Sequence, residues 1–269
     1  MSPIVSFNFN EIFSFFTVLV RVSVLFVVLP FFGEQTIPIK IKVLLSLAIA
    51  MMLYPTLVTS HLLLPNTIGA YAQSAGGIVQ VITLEILFAL ALGFSAKLVF
   101  MAIQVGGDVI GNFMGFAAAS QFDPNQQSQT QVVTQLLYTL MLLVFLAIDG
   151  HHLMLEATLR SYEIVGVGEV KLGGSFAERL LTFSGQMIRL GLQLGAPMAI
   201  SLFAINVIYG VFAKALPQMN ILILSLSVSA FVGLFVLLIS LPEFQSTSTN
   251  LFSTIGDEMG HTMTSMKGK

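Results

Sequence analysis

With 269 residues, 56% of them hydrophobic and only 9% charged, and a mean hydropathy of +0.92, the chain is too apolar for a soluble domain, in which about 25% of residues carry charge. A net charge of −2 offers no basic surface for nucleic acid, and the absence of cysteine excludes disulfides, thiolate zinc sites and cysteine nucleophiles. Composition therefore points to a polytopic membrane protein or the core of a membrane assembly. Without tryptophan, any interfacial aromatic belt must come from five Tyr and some of the 23 Phe.

The N-terminal MSPIVSFNFNE lacks the basic region of a cleaved signal, and the apolar run after it exceeds a signal h-region. Residues 12–32 are thus expected to be a retained span, since a bilayer needs about 20 apolar residues. Arg21 stands near its centre, at an insertion cost of about 2.5–3.5 kcal/mol. That cost demands a partner: an acidic side chain, backbone carbonyls or water. Pro30, Gly33 and Pro38 form a stiff turn carrying Glu34, Lys40 and Lys42. Residues 43–64 give a second span without Asp, Glu, Lys or Arg, kinked or ended near Pro55, and 65–77 reads as a loop.

The third span, 78–105, carries Glu85 and Lys97, about 18 Å apart on a straight helix. They cannot pair with each other, and Arg21 is the candidate partner for Glu85. An isolated acid without a chain of others reads as structural glue rather than an ion path. The span runs into VGGDVIGNFMGFAAASQFDP (105–124), bracketed by Asp108 and Asp123. Gly107, Gly111, Gly115 and Ala119 recur every fourth residue and make a smooth stripe on a helix. Two readings of this stretch stand: a helix-packing motif followed by a loop, or a flexible apolar segment at membrane depth, where irregular backbone survives only against protein or a water-filled path.

After Pro124, NQQSQTQ reads as a solvated loop and helix cap, and 132–148 as an uncharged fourth span ended by Asp149-Gly150-His151-His152. His152 and Glu156 are spaced i, i+4, but no third ligand accompanies them, so a His pair at a helix end is the reading taken over a metal site. Residues 156–179 are the most charged and are expected to face solvent. Residues 180–212, interrupted by Arg189, Gly191, Gly195 and Pro197, are expected to be a broken helix. A tight turn at 214–220 joins them to 221–241 in an antiparallel hairpin. The Ser/Thr-rich tail from Pro242 is expected to be flexible or weakly helical. Loop charges give no usable positive-inside bias, which suggests that some apolar segments are buried in protein rather than lipid.

Four features coincide in order and spacing: Arg21 followed by PFFGEQTIPIK, the GGDVIGNFMGFAAASQFDP stretch, IDGHH at 148–152, and ALPQMN at 215–220. Together they resemble the FliR family, flagellar relatives of the T component of injectisome export gates, from about residue 12 to 241. One departure is that Ser161-Tyr162 leads into EIVGVGEV, where family members often carry a proline. PQMN points to the flagellar branch over the injectisome branch.

The resemblance implies an all-α export-gate protein of apolar helical hairpins: a FliP-like part over 1–180, a FliQ-like hairpin over 181–241, and a polar tail over 242–269. It implies assembly with FliP and FliQ homologues, and a FlhB-type switch protein, in the bacterial inner membrane at the flagellar basal body. Unfolded subunits would pass through the channel, with no cofactor, metal or catalytic activity. The family's apolar plug maps onto Gly106, Gly107, Gly111, Phe113, Met114, Gly115, Phe116 and Phe122. Arg21, Glu85, Lys97 and Asp108 are expected to form a buried polar network, and Pro217, Gln218, Met219 and Asn220 a hairpin tip that touches a partner. Two other classes compete. A proton-coupled secondary transporter would use Glu85, Lys97 and Asp108, but no internal repeat is evident. An intramembrane enzyme lacks a convincing nucleophile–base pair.

Overall fold

The computed structural model describes residues 8–33, 37–115, 129–171, 173–215 and 221–267. Apart from one isolated bridge between Val170 and Lys267, its regular elements are helices: α1 (Phe9–Val28), α2 (Ile39–Thr59), α3 (Pro65–Tyr71), α4 (Ala75–Phe113), α5 (Gln129–Ala147), α6 (Gly150–Ile164), α7 (Gly174–Ala215), α8 (Ile221–Ser253) and α9 (Ile255–Met266). Among the described residues five helices are long and apolar enough to cross a membrane, or six if the bent pair α5 and α6 counts as one span. The protein is all-α and polytopic.

The helices are longer than the breaker residues suggested. α4 continues through Gly106, Gly107 and Gly111 to Phe113, so the first half of the expected plug loop is helix. α7 runs for 42 residues across Gly191, Gly195 and Pro197, where a break was expected. Likewise α2 passes Pro55 and α8 passes Pro242. The expected loop at 65–77 holds the short α3, with Pro65 in its first turn, where a missing N–H costs nothing. At 39, 42 and 33 residues, α4, α7 and α8 exceed the hydrocarbon core, which about 20 residues span.

The chain forms two compact units, residues 1–97, 151–183 and 254–269 in one, and 98–150 and 184–253 in the other. In the first, α1 packs on α2 and α3, burying Phe13, Val18, Val22 and Phe26 with Leu57, Leu63 and Ile68. Tyr54 meets Phe15 edge to face and donates from its hydroxyl to the Glu11 carbonyl at 3.2 Å. In the second, Phe100 of α4, Tyr138 and Phe145 of α5 and Phe252 of α8 interlock, with Phe100 centroids 5.0–5.9 Å from the other three. Such offset and edge-to-face rings gain attraction beyond their buried area.

The tail differs most from expectation. α9 buries Ile255, Met259, Thr262, Met263 and Met266, spaced 4, 3, 1 and 3 residues apart along one face of a helix. Ser95 and Thr262 hydroxyls are 3.0 Å apart, Arg179 forms an ion pair with Glu258, and the Lys171 N–H donates to the Met266 carbonyl at 2.9 Å. The segment from Pro242 is therefore helical and packed, not a flexible tail. Met263→Ala should destabilise the protein by roughly 2–5 kcal/mol, the usual range for a buried Met truncation. The readout is the midpoint of detergent-induced unfolding. An unchanged midpoint would return α9 to the status of a dispensable tail.

Candidate functional site

Arg21 is fully buried on α1. Its Nε donates to Glu85 Oε2 at 2.6 Å and its Nη2 to Glu85 Oε1 at 3.0 Å, a two-pronged fit between guanidinium and carboxylate. Nη1 donates to Ser161 Oγ at 3.2 Å and to the Val165 carbonyl at 3.3 Å. The guanidinium carbon lies 4.5 Å from the Phe88 ring centre and 4.2 Å from that of Tyr162, so aromatic faces cover the cation. Glu85, also fully buried, accepts a further bond at Oε1 from the Gly168 N–H at 3.0 Å.

The turn after α6 thus meets the ion pair twice, accepting through Val165 and donating through Gly168. Gly168 has φ +79°, a left-handed conformation that glycine adopts without a steric penalty. Tyr162, Val165 and Val167 are buried here, which corrects the expectation that 156–179 faces solvent throughout. Lys97 and Asp108, expected in the same network, do not join it. Both are exposed, and Asp108 accepts from Thr134 Oγ1 at 2.6 Å. Helical phase explains Lys97: twelve residues after Glu85 is about a third of a turn off its face. Every polar atom of the Glu85 carboxylate is engaged by Arg21 or Gly168, so the centre is a closed structural clasp. His151 and His152 stack in the first turn of α6 with ring centres 4.3 Å apart, while Glu156 is exposed.

The glycines of the candidate plug have two different settings. A Cβ on Gly106 would meet the Gly191 carbonyl oxygen at 3.1 Å and Leu194 Cβ at 3.3 Å, and one on Gly195 would meet the Gly106 carbonyl oxygen at 2.9 Å. α4 and α7 therefore touch backbone to backbone. Gly107 does the same towards α5, where an added Cβ would stand 2.9 Å from Thr134 Cα. Gly111 is buried as well. These positions serve close helix packing. Gly115, at φ +86°, instead follows the last turn of α4 as a left-handed residue that ends a helix.

The bulky residues sit at that helix end. Met114 is 1% exposed and packs on Gly233 of α8, where a Cβ would lie 2.9 Å from the Met114 sulfur. Phe113 is half-buried and meets Phe203 edge to face at 6.2 Å. Of the two, Met114 is anchored on α8 and Phe113 retains exposed area. Phe116, Phe122, Pro217, Gln218, Met219 and Asn220 lie outside the described residues. Sequence reasoning missed Phe88, Ser161, Val165 and Gly168; the GVG run at 166–168 was the one available signal.

The clasp predicts non-additive mutational effects. Arg21→Ala and Glu85→Gln should each lower the yield of folded protein sharply, because breaking a buried pair from one side costs roughly 3–5 kcal/mol. The double variant should lose clearly less than the sum of the two. Additive losses in a double-mutant cycle on yield and unfolding midpoint would dissolve the pair as an energetic unit.

The chain matches the family described as bacterial export proteins, family 1, over residues 12–255, that is, from α1 to the start of α9. It is 26% identical over 250 residues to the flagellar biosynthetic protein FliR of Bacillus subtilis (strain 168), covering 89% of this chain and 90% of that one. It is 28% identical over 257 residues to the protein of that name from Pectobacterium carotovorum subsp. carotovorum, covering 96% and 95%. For the Escherichia coli (strain K12) protein of that name the identity is 26% over 242 residues, covering 90% and 89%.

Proposed function

The chain belongs to the bacterial export proteins, family 1, and from that premise we propose that it is a subunit of the flagellar type III protein export gate, lining and plugging the channel for unfolded flagellar subunits. The observation that carries this reading is the family match over residues 12–255, together with relatives named flagellar biosynthetic protein. The gate would sit in the inner membrane at the basal body, with FliP and FliQ homologues and a FlhB-type switch protein around it. Long apolar helices support such an assembly. α7 exposes Ile200, Phe203, Val211 and Phe212, and α8 exposes Phe231, Phe235 and Leu238, area that lipid or other subunits must cover.

The seal is proposed at the end of α4 and the residues after it, with Phe113 as its described member and Phe116 and Phe122 continuing it in sequence. An apolar constriction closes a pore by dewetting, and a barrier that yields to many unfolded sequences should be apolar and non-specific. The transporter reading finds no support: Glu85 is locked to Arg21 and Gly168, and Lys97 and Asp108 are exposed.

Trimming Phe113 to alanine removes apolar area worth about 1.5–3 kcal/mol for a large side chain. Small-solute leakage across the inner membrane should rise while the yield of the co-purified complex stays normal. Normal tightness would refute the seal. A separate expectation concerns the proposed hairpin tip: Gln218→Ala with Asn220→Ala should impair secretion without reducing accumulation of the chain. Unimpaired motility would leave 217–220 a plain connector.

A further inference from the structure

The end of α4 is held by a polar link that neither the export reading nor the glycine packing requires. Asn206 lies on α7 within AISLFAINVIYGVF, a run of apolar residues broken by few polar side chains. Its Nδ2 donates to the Phe113 carbonyl at 3.1 Å, and its Oδ1 accepts from Ser229 Oγ of α8 at 3.0 Å. Both ends of the amide are used, and the pattern fixes its orientation: the carbonyl needs a donor, and the hydroxyl supplies one.

The target is chosen by helix chemistry. The last carbonyls of a helix lack intrahelical donors, and Phe113 is the last residue of α4. Gly115, at φ +86°, has the left-handed conformation that ends a helix. Met114, between them, packs on Gly233 of α8. One amide therefore ties three helices together at the residue whose ring remains half-exposed, and α8 contributes a hydroxyl to orient it and a glycine to receive Met114. Asn206 is exposed in the isolated chain, and once lipid or another subunit covers this apolar face an unpartnered amide there is costly. Interhelical bonds of this type are individually weak in membrane proteins, too weak to build the fold but enough to bias a local equilibrium.

We propose that Asn206 is the positioning residue of the seal: with Ser229 it holds the C-terminus of α4 so that Phe113 is presented in its closed placement. This rests on the seal reading of Phe113 given above. It differs from a packing role because Asn206 acts on the Phe113 backbone, and the glycine contacts with Gly191 and Gly195 lie two turns earlier on α4.

The test uses the full chain in the assembled, membrane-embedded complex, with Asn206→Leu, Ser229→Ala and Phe113→Ala compared side by side. Co-purified complex yield and inner-membrane leakage of a small solute are both measured. Asn206→Leu should keep normal yield and raise leakage about fivefold, the population shift that corresponds to one lost hydrogen bond of roughly 1 kcal/mol. Ser229→Ala should raise it less, since Asn206 retains its donor to Phe113. A leaking Phe113→Ala beside a tight Asn206→Leu would overturn the role of Asn206 and leave the seal standing. Tightness in all three would overturn the seal, and the positioning role with it. If Asn206→Leu loses the complex, Ser229→Ala decides: leakage at normal yield supports the proposal, and tightness overturns it.

Discussion

A single charge imposes the tightest constraint on this molecule. Arg21 has five N–H donors in a rigid fork and sits on a helix whose own carbonyls are already committed. Its acceptors must come from elsewhere, and they come from Glu85 on α4, Ser161 on α6 and Val165 in the following turn. One guanidinium thereby fixes three segments that are 64, 140 and 144 residues away in sequence. Burial of such a pair is weak evidence of net stabilisation, because desolvation offsets the attraction. Its consequence is specificity: any packing that displaces α1 strands a charge.

The turn after α6 shows how closely that constraint is met. Val165 gives its carbonyl to the cation and Gly168 its N–H to the anion, so the backbone completes both halves of the pair. The rings of Phe88 and Tyr162 close the two faces of the guanidinium. Gly168, at a positive φ, lets the backbone turn so that its N–H meets the carboxylate.

Arg21 and Glu85 were legible because each is an isolated charge in an apolar span and needs a partner. The same isolation argument misassigned Lys97 and Asp108, since it says that a charge needs company without saying which face it occupies. The backbone acceptor at Val165 leaves no trace in sequence, because every residue carries a carbonyl. Gly191, Gly195 and Pro197 were read as breakers, yet α7 continues through them. In an apolar bundle, glycine on a helix face admits a neighbouring backbone, and Gly106 occupies that space. The tail was misjudged for the opposite reason. Its Ser and Thr content outweighed the spacing of Ile255, Met259, Met263 and Met266, although that spacing alone specifies a buried helical face.

The two polar anchorages differ in strength, and that difference has a mechanical meaning. Parting Arg21 from Glu85 would strand two charges in a buried site, whereas parting the Asn206 link loses one neutral hydrogen bond worth about 1 kcal/mol. A force on the chain releases its weakest attachment first. Under a load applied near the end of α4, the Asn206 link to the Phe113 carbonyl would exchange before the Arg21 clasp is disturbed. Gly115, already in a left-handed conformation, offers a pivot beside that link without a side chain to resist rotation. In the gate proposed above, that ordering would let the end of α4 move while the helices joined by Arg21 keep their packing.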